Sequence, residues 1–196
     1  ERALYWVKAG HDVTVITSVP NFPLGVVFTG YENHWYFNEK MYGINVVRVK
    51  TYISPNQGVF RRGVDFLSFG IMSSIFGLFQ VRPDVVAATS PQFLTAVSGW
   101  FVAFIRRIPF VFELGDLWPT SIVAVGVIKK GFLINLFERI ELFLYRNSTR
   151  VASLTYAFKK NLVDRGVDSN KIDVVRNGVD VSRYQPMKQC IKLASK

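Results

Sequence analysis

Short apolar segments alternate with longer helical patterns along the sequence, and this alternation limits the fold more than any other feature. The short segments are rich in β-branched and aromatic residues and lie at 13–17, 44–49, 84–88, 110–114, 150–154 and 171–175. The helical patterns span 61–80, 91–105, 133–145 and 155–165, after a helix end at 1–9. Because strands buried on both faces of a parallel sheet have near-continuous apolar sequences, the pattern predicts an α/β fold with a doubly wound parallel sheet.

Composition excludes several classes of protein. Of the 196 residues, 49% are hydrophobic and 19% are charged, which is too apolar for a disordered chain. The single cysteine, Cys190, excludes a disulfide framework and a cysteine-cluster zinc site. With two histidines in all, the sequence does not support a histidine-rich metal centre. No apolar run reaches the roughly 18 residues that a membrane-spanning helix needs, so the sequence predicts none.

The charge balance is strongly basic, with 24 Lys and Arg against 14 Asp and Glu. Basic pairs recur, several of them beside very apolar helical patterns, at 61–62, 106–107, 129–130 and 159–160. Basic residues next to apolar ones suit an anionic membrane surface. Nucleic acid is the competing partner. Only the basic composition supports that alternative, because the sequence has no recognisable nucleic-acid-binding module. We therefore expect a membrane surface and no nucleic acid; the sequence predicts no oligomeric state.

Ligands of doubly wound sheets bind beyond the carboxyl ends of the strands. The loops at that edge are predicted at 18–31, 51–60, 89–92, 115–121 and 176–180. In the fourth of them, Asp116 follows a strand directly and could accept a hydrogen bond from a sugar hydroxyl or act as a base. Trp118 could stack on the apolar face of a sugar. The alternative is that Asp116 caps the following helix and that Trp118 belongs to the core.

Several segments, in this order along the chain, resemble one protein family. They are the helix end and strand at 9–17, the loop at 20–31, the segments 62–69 and 112–119, and Asn-Gly-Val-Asp at 177–180 with Tyr184 beyond it. Over about residues 1–186 the chain resembles the N-terminal half of retaining glycosyltransferases of family 4, which have the GT-B fold. Segments 20–31, 62–69 and 112–119 resemble a subfamily of bacterial surface-polysaccharide transferases of the colanic-acid and fucosamine type.

This resemblance implies a reaction and its substrates. The donor is a nucleotide sugar, often UDP-linked, and the acceptor is a saccharide or a polyprenyl-diphosphate-linked sugar at the inner membrane. Transfer retains the anomeric configuration and needs no metal or cofactor. The implied location is cytoplasmic, peripheral to the inner membrane. Asp116 would hold and polarise the attacking hydroxyl; the implied acceptor contacts are Glu113, Trp118, Asn21 and Ser90, and the implied nucleotide-sugar contacts are Asn177 and Gly178.

The sequence also departs from the family pattern. Gly115 and Thr120 stand where relatives commonly carry Arg and Glu. We expect residues 1–180 to form an acceptor-binding domain that lacks the family's first strand, whose neighbours then lose a hydrogen-bonding partner. Residues 181–196 are expected to be an interdomain linker or tail, with the donor domain absent. This chain alone is therefore expected not to transfer sugar, and the alternative is a non-catalytic module that binds a membrane or a partner.

Overall fold

The computed structural model describes residues 2–55, 58–90, 92–118 and 131–178. Helices and strands alternate, as predicted. In chain order they are α1 (Arg2–Lys8), β1 (Thr14–Thr17), β2 (Tyr36–Met41), β3 (Ile44–Val49), α2 (Val59–Leu78), β4 (Val86–Thr89), α3 (Phe93–Arg106), β5 (Phe110–Leu114), α4 (Phe132–Asn147), β6 (Arg150–Ser153), α5 (Tyr156–Asp164) and β7 (Ile172–Val174). The expected linker at 181–196, the domain end at 180, and Thr120 lie outside the described residues.

The strands form two sheets, with the orders β1-β3-β2 and β4-β5-β6-β7. All neighbouring strands are parallel except β2, which pairs antiparallel with β3. Within the described residues, β1 is hydrogen-bonded to β3 only and β4 to β5 only. The predicted α/β fold with a parallel sheet is confirmed, and the absence of the family's first strand stays a prediction.

Helices α2 and α3 connect the two sheets by packing against each other. Helix α2 packs against β1, β3 and α3, and α3 packs against β4 and β5. Gly77 allows the close approach of α2, because a Cβ built there would lie 2.9 Å from Val102 of α3 and 3.4 Å from Ile16 of β1. No helix within residues 2–55, 58–90, 92–118 and 131–178 is long and apolar enough to cross a membrane.

The main hydrophobic core lies between β4–β7 and the helices α3, α4 and α5. Phe112 of β5 is at its centre and meets the ring of Tyr145 edge-on, with the ring centroids 4.8 Å apart. Helix α5 begins where the sequence predicts, since the Thr155 hydroxyl accepts a hydrogen bond from the Phe158 N–H at 3.1 Å. These contacts anchor β5 and the loop that follows β6, beside the candidate site.

Strand β2 was not predicted from the sequence. It is an edge strand joined to β3 by a two-residue turn, Tyr42-Gly43, in which both residues have positive φ. Its central residues are polar, so it lacks the apolar run of the other strands. One of them, Glu39, accepts a hydrogen bond at 2.5 Å from Arg48 of β3, whose side chain is almost fully buried. This pairing across the strands explains how a polar segment joins the sheet.

Candidate functional site

Ser90 connects the carboxyl ends of two neighbouring strands. Its buried hydroxyl accepts hydrogen bonds from the N–H groups of Gly115, at 3.0 Å, and Asp116, at 3.3 Å. The same hydroxyl donates to the Asp116 carbonyl oxygen at 3.3 Å, and the Ser90 N–H donates to the Glu113 carbonyl oxygen at 3.0 Å. A hydroxyl has one donor and two acceptor sites. All three are used here, so Ser90 is suited to position Asp116, and its predicted acceptor contact stays a prediction.

Gly115 lets this loop close on Ser90. A Cβ built at Gly115 would lie 2.7 Å from the Ser90 carbonyl oxygen, which is closer than real Cβ contacts come to backbone. The arginine expected at this position from the family resemblance would therefore require the two loops to move apart. Gly115 is thus explained by the close approach of its loop to Ser90.

A buried polar network lies beneath Asp116. Glu141 of α4 is 2% exposed and accepts hydrogen bonds from the Tyr145 hydroxyl, at 2.6 Å, and from Arg165, at 3.0 Å. Burial raises the pKa of Glu141, against the lowering effects of those two partners. Burial, then the Glu141 charge, raises the pKa of Tyr145, and the Asp116 charge contributes in the same direction. The tyrosine hydroxyl is therefore held neutral, as a hydrogen-bond donor.

The raised pKa of Glu141 predicts a pH dependence of stability. As pH rises above about 4.3, the ordinary glutamate value, the unfolded chain loses this proton before the folded chain does. The free energy of unfolding then falls until the higher folded-state pKa is passed, and it stays lower above it. Urea denaturation from pH 3.5 to 7 should show a larger decrease for the wild-type protein than for Glu141→Gln, in which Asp65, whose pKa is also raised by burial, still contributes. A difference between the two proteins that is constant with pH would contradict the expectation.

Glu113 and Asn177, predicted for different substrates, are brought together by Arg2. Arg2 donates one hydrogen bond to the Glu113 carboxylate, at 2.7 Å, and another to the Asn177 side-chain oxygen, at 3.2 Å. Among the described residues, no atom lies within 4 Å of a Cβ built at the neighbouring Gly178. Sequence reasoning missed Arg2, because nothing in a lone arginine of an N-terminal helix indicates a contact more than 100 residues away.

Asn21 and Trp118 lie in different surroundings. Asn21 donates a side-chain hydrogen bond to the Val19 carbonyl oxygen at 2.9 Å and lines a cavity beside the end of β1. Trp118 stacks on Phe93, with ring centroids 5.0 Å apart, and packs against Phe137 at 5.1 Å. These are the contacts of a core residue, the alternative raised from the sequence. The stacking of Trp118 on a sugar stays a prediction.

Metal ligands do not cluster in the part of the chain that the structure describes. There, no three side chains of His, Cys, Asp or Glu are placed to hold one ion. A reaction without a metal stays a prediction.

A family model for the glycosyl transferase 4-like domain matches residues 2–178. The chain belongs to this family. The match includes every candidate residue of the site, from Asn21 to Gly178. It supports the identification of the chain as a glycosyltransferase domain, and the predicted resemblance to family 4 is confirmed.

Similar proteins include one from Escherichia coli (strain K12), assigned to colanic acid biosynthesis as the glycosyl transferase WcaI. It is 24% identical over 190 residues, covering 92% of this chain and 46% of its own length. HepE (Alr3699) of Anabaena, solved with UDP and glucose, is 17% identical, with a TM-score of 0.49, over 73% of this chain and 34% of its own. For its complex with UDP-glucose the TM-score is 0.46, and the match covers 70% of this chain and 32% of that one. The chain thus spans about half the length of the curated relative and a third of the solved one.

Proposed function

We propose that this chain is the acceptor-binding part of a retaining glycosyltransferase of bacterial surface-polysaccharide synthesis. A sugar passes from a nucleotide sugar, of the UDP type, to a saccharide or lipid-linked acceptor. The observation that carries the proposal is the position of Asp116, held by Ser90 at the carboxyl edge of the sheet within the family-matched residues. A carboxylate at that edge can accept a hydrogen bond from the attacking hydroxyl and polarise it.

The donor is proposed to approach from the side of Asn177 and Gly178. Arg2, whose side chain is 55% exposed, is held beside Asn177 and Glu113, and its remaining N–H groups can donate hydrogen bonds to a nucleotide diphosphate. Glu113 shares this arginine and thereby connects the donor side to β5 and Asp116. Neither a metal ion nor a cofactor is part of the proposed reaction.

A hybrid protein tests the proposal. The hybrid supplies the remainder of a transferase, since this chain matches 46% of the length of the curated relative. In the hybrid, this chain replaces the matched segment of the E. coli relative. The purified hybrid is incubated with radiolabelled UDP sugars and a bacterial lipid extract. Transfer of label to the lipid or saccharide fraction supports the proposal. A folded hybrid that transfers none, beside an active parent, would contradict it and favour the non-catalytic binding module.

The enzyme is proposed to work at the cytoplasmic face of the inner membrane, peripherally bound. Phe22, which is 74% exposed, and Leu24 lie in one loop, and Phe60, which is 83% exposed, begins α2 beside Arg61 and Arg62. This loop lies against the segment that precedes α2, since a Cβ built at Gly25 would be 2.2 Å from the Ser54 carbonyl oxygen. Apolar side chains beside two guanidinium groups suit a surface of anionic lipid.

The double substitution Phe22→Ser with Phe60→Ser should weaken binding to phosphatidylglycerol vesicles by tenfold or more. Burying one such side chain contributes about 1.5–3 kcal/mol, and about 1.4 kcal/mol is a factor of ten in affinity. Vesicle co-sedimentation measures the effect. The matched control is Phe79→Ser, since Phe79 is 80% exposed at the opposite end of α2. Equal losses in the control and the double variant would contradict this membrane surface.

A further inference from the structure

A cavity of about 450 Å³ lies beside the candidate site. Its walls are the end of β1 with residues 18–22, the first half of α2, and Gln92 just before α3. Its volume is within the range of small-molecule sites, about 300–1,000 Å³. Gln92 is two residues beyond Ser90, so the cavity adjoins the loop that Ser90 joins to Asp116.

Asp65 of α2 is the only carboxylate among the described residues that line this cavity. Burial raises the pKa of Asp65, and the positive charge of Arg62 acts in the opposite direction. Among the described residues, none donates a hydrogen bond to this carboxylate; its backbone carbonyl accepts one from Ser68. The acceptor capacity of the carboxylate is therefore available to a ligand.

The other charged residue that lines the cavity, Arg48, is already paired within the protein. Arg48 donates hydrogen bonds to Glu39, at 2.5 Å, and to the Ser18 carbonyl oxygen, at 3.0 Å. Its guanidinium group also lies over the ring of Tyr31, 4.8 Å from the centroid. With Arg48 neutralised by Glu39, the cavity offers an acceptor of hydrogen bonds rather than a site for an anion. A phosphate inside it would face the Asp65 carboxylate at close range.

We propose that this cavity binds a neutral saccharide ring of the acceptor, with Asp65 accepting hydrogen bonds from its hydroxyl groups. Phe66 and Phe69 line the same cavity and supply apolar surface for the C–H faces of the sugar. Arg62 lies at the exposed outer surface, over the ring of Phe66, where the diphosphate of a lipid-linked acceptor can meet it. This inference rests on the proposed function and assigns the acceptor's sugar to one place.

Binding by the chain itself tests the assignment without requiring activity. Amide NMR spectra are recorded while the methyl glycosides of glucose, galactose, fucose and N-acetylglucosamine are added. At least one should shift signals of residues 18–22, 65–69 and 92. Asp65→Asn, which keeps the side-chain shape, should weaken that binding about tenfold, since hydrogen bonds to charged groups are the stronger ones. The control is Asp84→Asn, an exposed carboxylate before β4, which should leave binding unchanged.

Two results would overturn the inference. One is that none of the four glycosides shifts the cavity residues. The other is that glucose 1-phosphate binds there more tightly than the neutral glycosides and gains affinity in Asp65→Asn, which would make the cavity an anion site. These results are distinct from failure of the proposed function. A sugar bound in the cavity beside an inactive hybrid would contradict only the transferase, whereas an active hybrid without cavity shifts would contradict only this assignment.

Discussion

Replacing Asp116 by Asn in the hybrid enzyme should lower the rate of sugar transfer by about 100-fold or more, since positioned acid–base groups contribute about 10²–10⁴-fold. The amide retains an oxygen to accept a hydrogen bond but loses the negative charge that polarises the attacking hydroxyl. Ser90 bonds the N–H and carbonyl groups of the Asp116 backbone, and these hydrogen bonds do not depend on the charge of the carboxylate. The loss should appear in kcat more than in KM, because the charge acts most strongly in the transition state.

Asp84→Asn is the matched control for this substitution. Asp84 is an exposed carboxylate just before β4, at the amino end of the strand that Ser90 follows. Transfer by this variant should equal that of the unsubstituted hybrid. Near-normal transfer by Asp116→Asn would remove Asp116 from the reaction and leave it only the capping role considered from the sequence.

Phe112→Ala should destabilise the chain by about 3–5 kcal/mol, the cost typical of truncating a buried Phe. Phe112 is 1% exposed and contacts both Tyr145 and Phe110 by their ring edges. Small domains have only about 5–15 kcal/mol of stability in total. We therefore expect a largely unfolded or marginal protein, measured as the free energy of unfolding in urea.

Phe79→Ala provides the comparison, since Phe79 is 80% exposed. Substitutions at such surfaces usually change stability by no more than about 0.5 kcal/mol. A loss below about 1 kcal/mol in Phe112→Ala would mean that β5 does not pass through the main core. The placement of Asp116 at the end of that strand would then lose its basis.

Most of the fold was predictable because its central strands are buried on both faces and therefore apolar along their length. The predicted segments 44–49 and 110–114 coincide with β3 and β5. Strand β2 was not predictable in this way, because Glu39 in it is stabilised by Arg48 from another strand. A partner nine residues away across a sheet leaves no periodic signal in either segment.

The candidate site was predictable only in part, for a related reason. Asp116 follows an apolar strand directly, so its place at the carboxyl edge is implied by local sequence. Ser90 lies in a predicted loop, but its three hydrogen bonds to residues 115 and 116 depend on how two strands pair. Arg2 and Asp65 acquire their surroundings from tertiary packing. Arg2 lies in no motif, and the family-like segment 62–69 that contains Asp65 implies no role for it.

Photochemical labelling by the acceptor tests the central claim most directly. A polyprenyl-diphosphate-linked sugar with a photoreactive group on the sugar is irradiated with this chain, and the labelled peptides are identified by mass spectrometry. The account predicts labelling at the carboxyl edge of the sheets, within residues 18–22, 65–69, 90–93 and 115–118, and its suppression by excess unmodified acceptor. Suppressible labelling confined to the opposite edge, around Asp12 and Asp84, or labelling that excess acceptor does not suppress, would contradict an acceptor site in this chain.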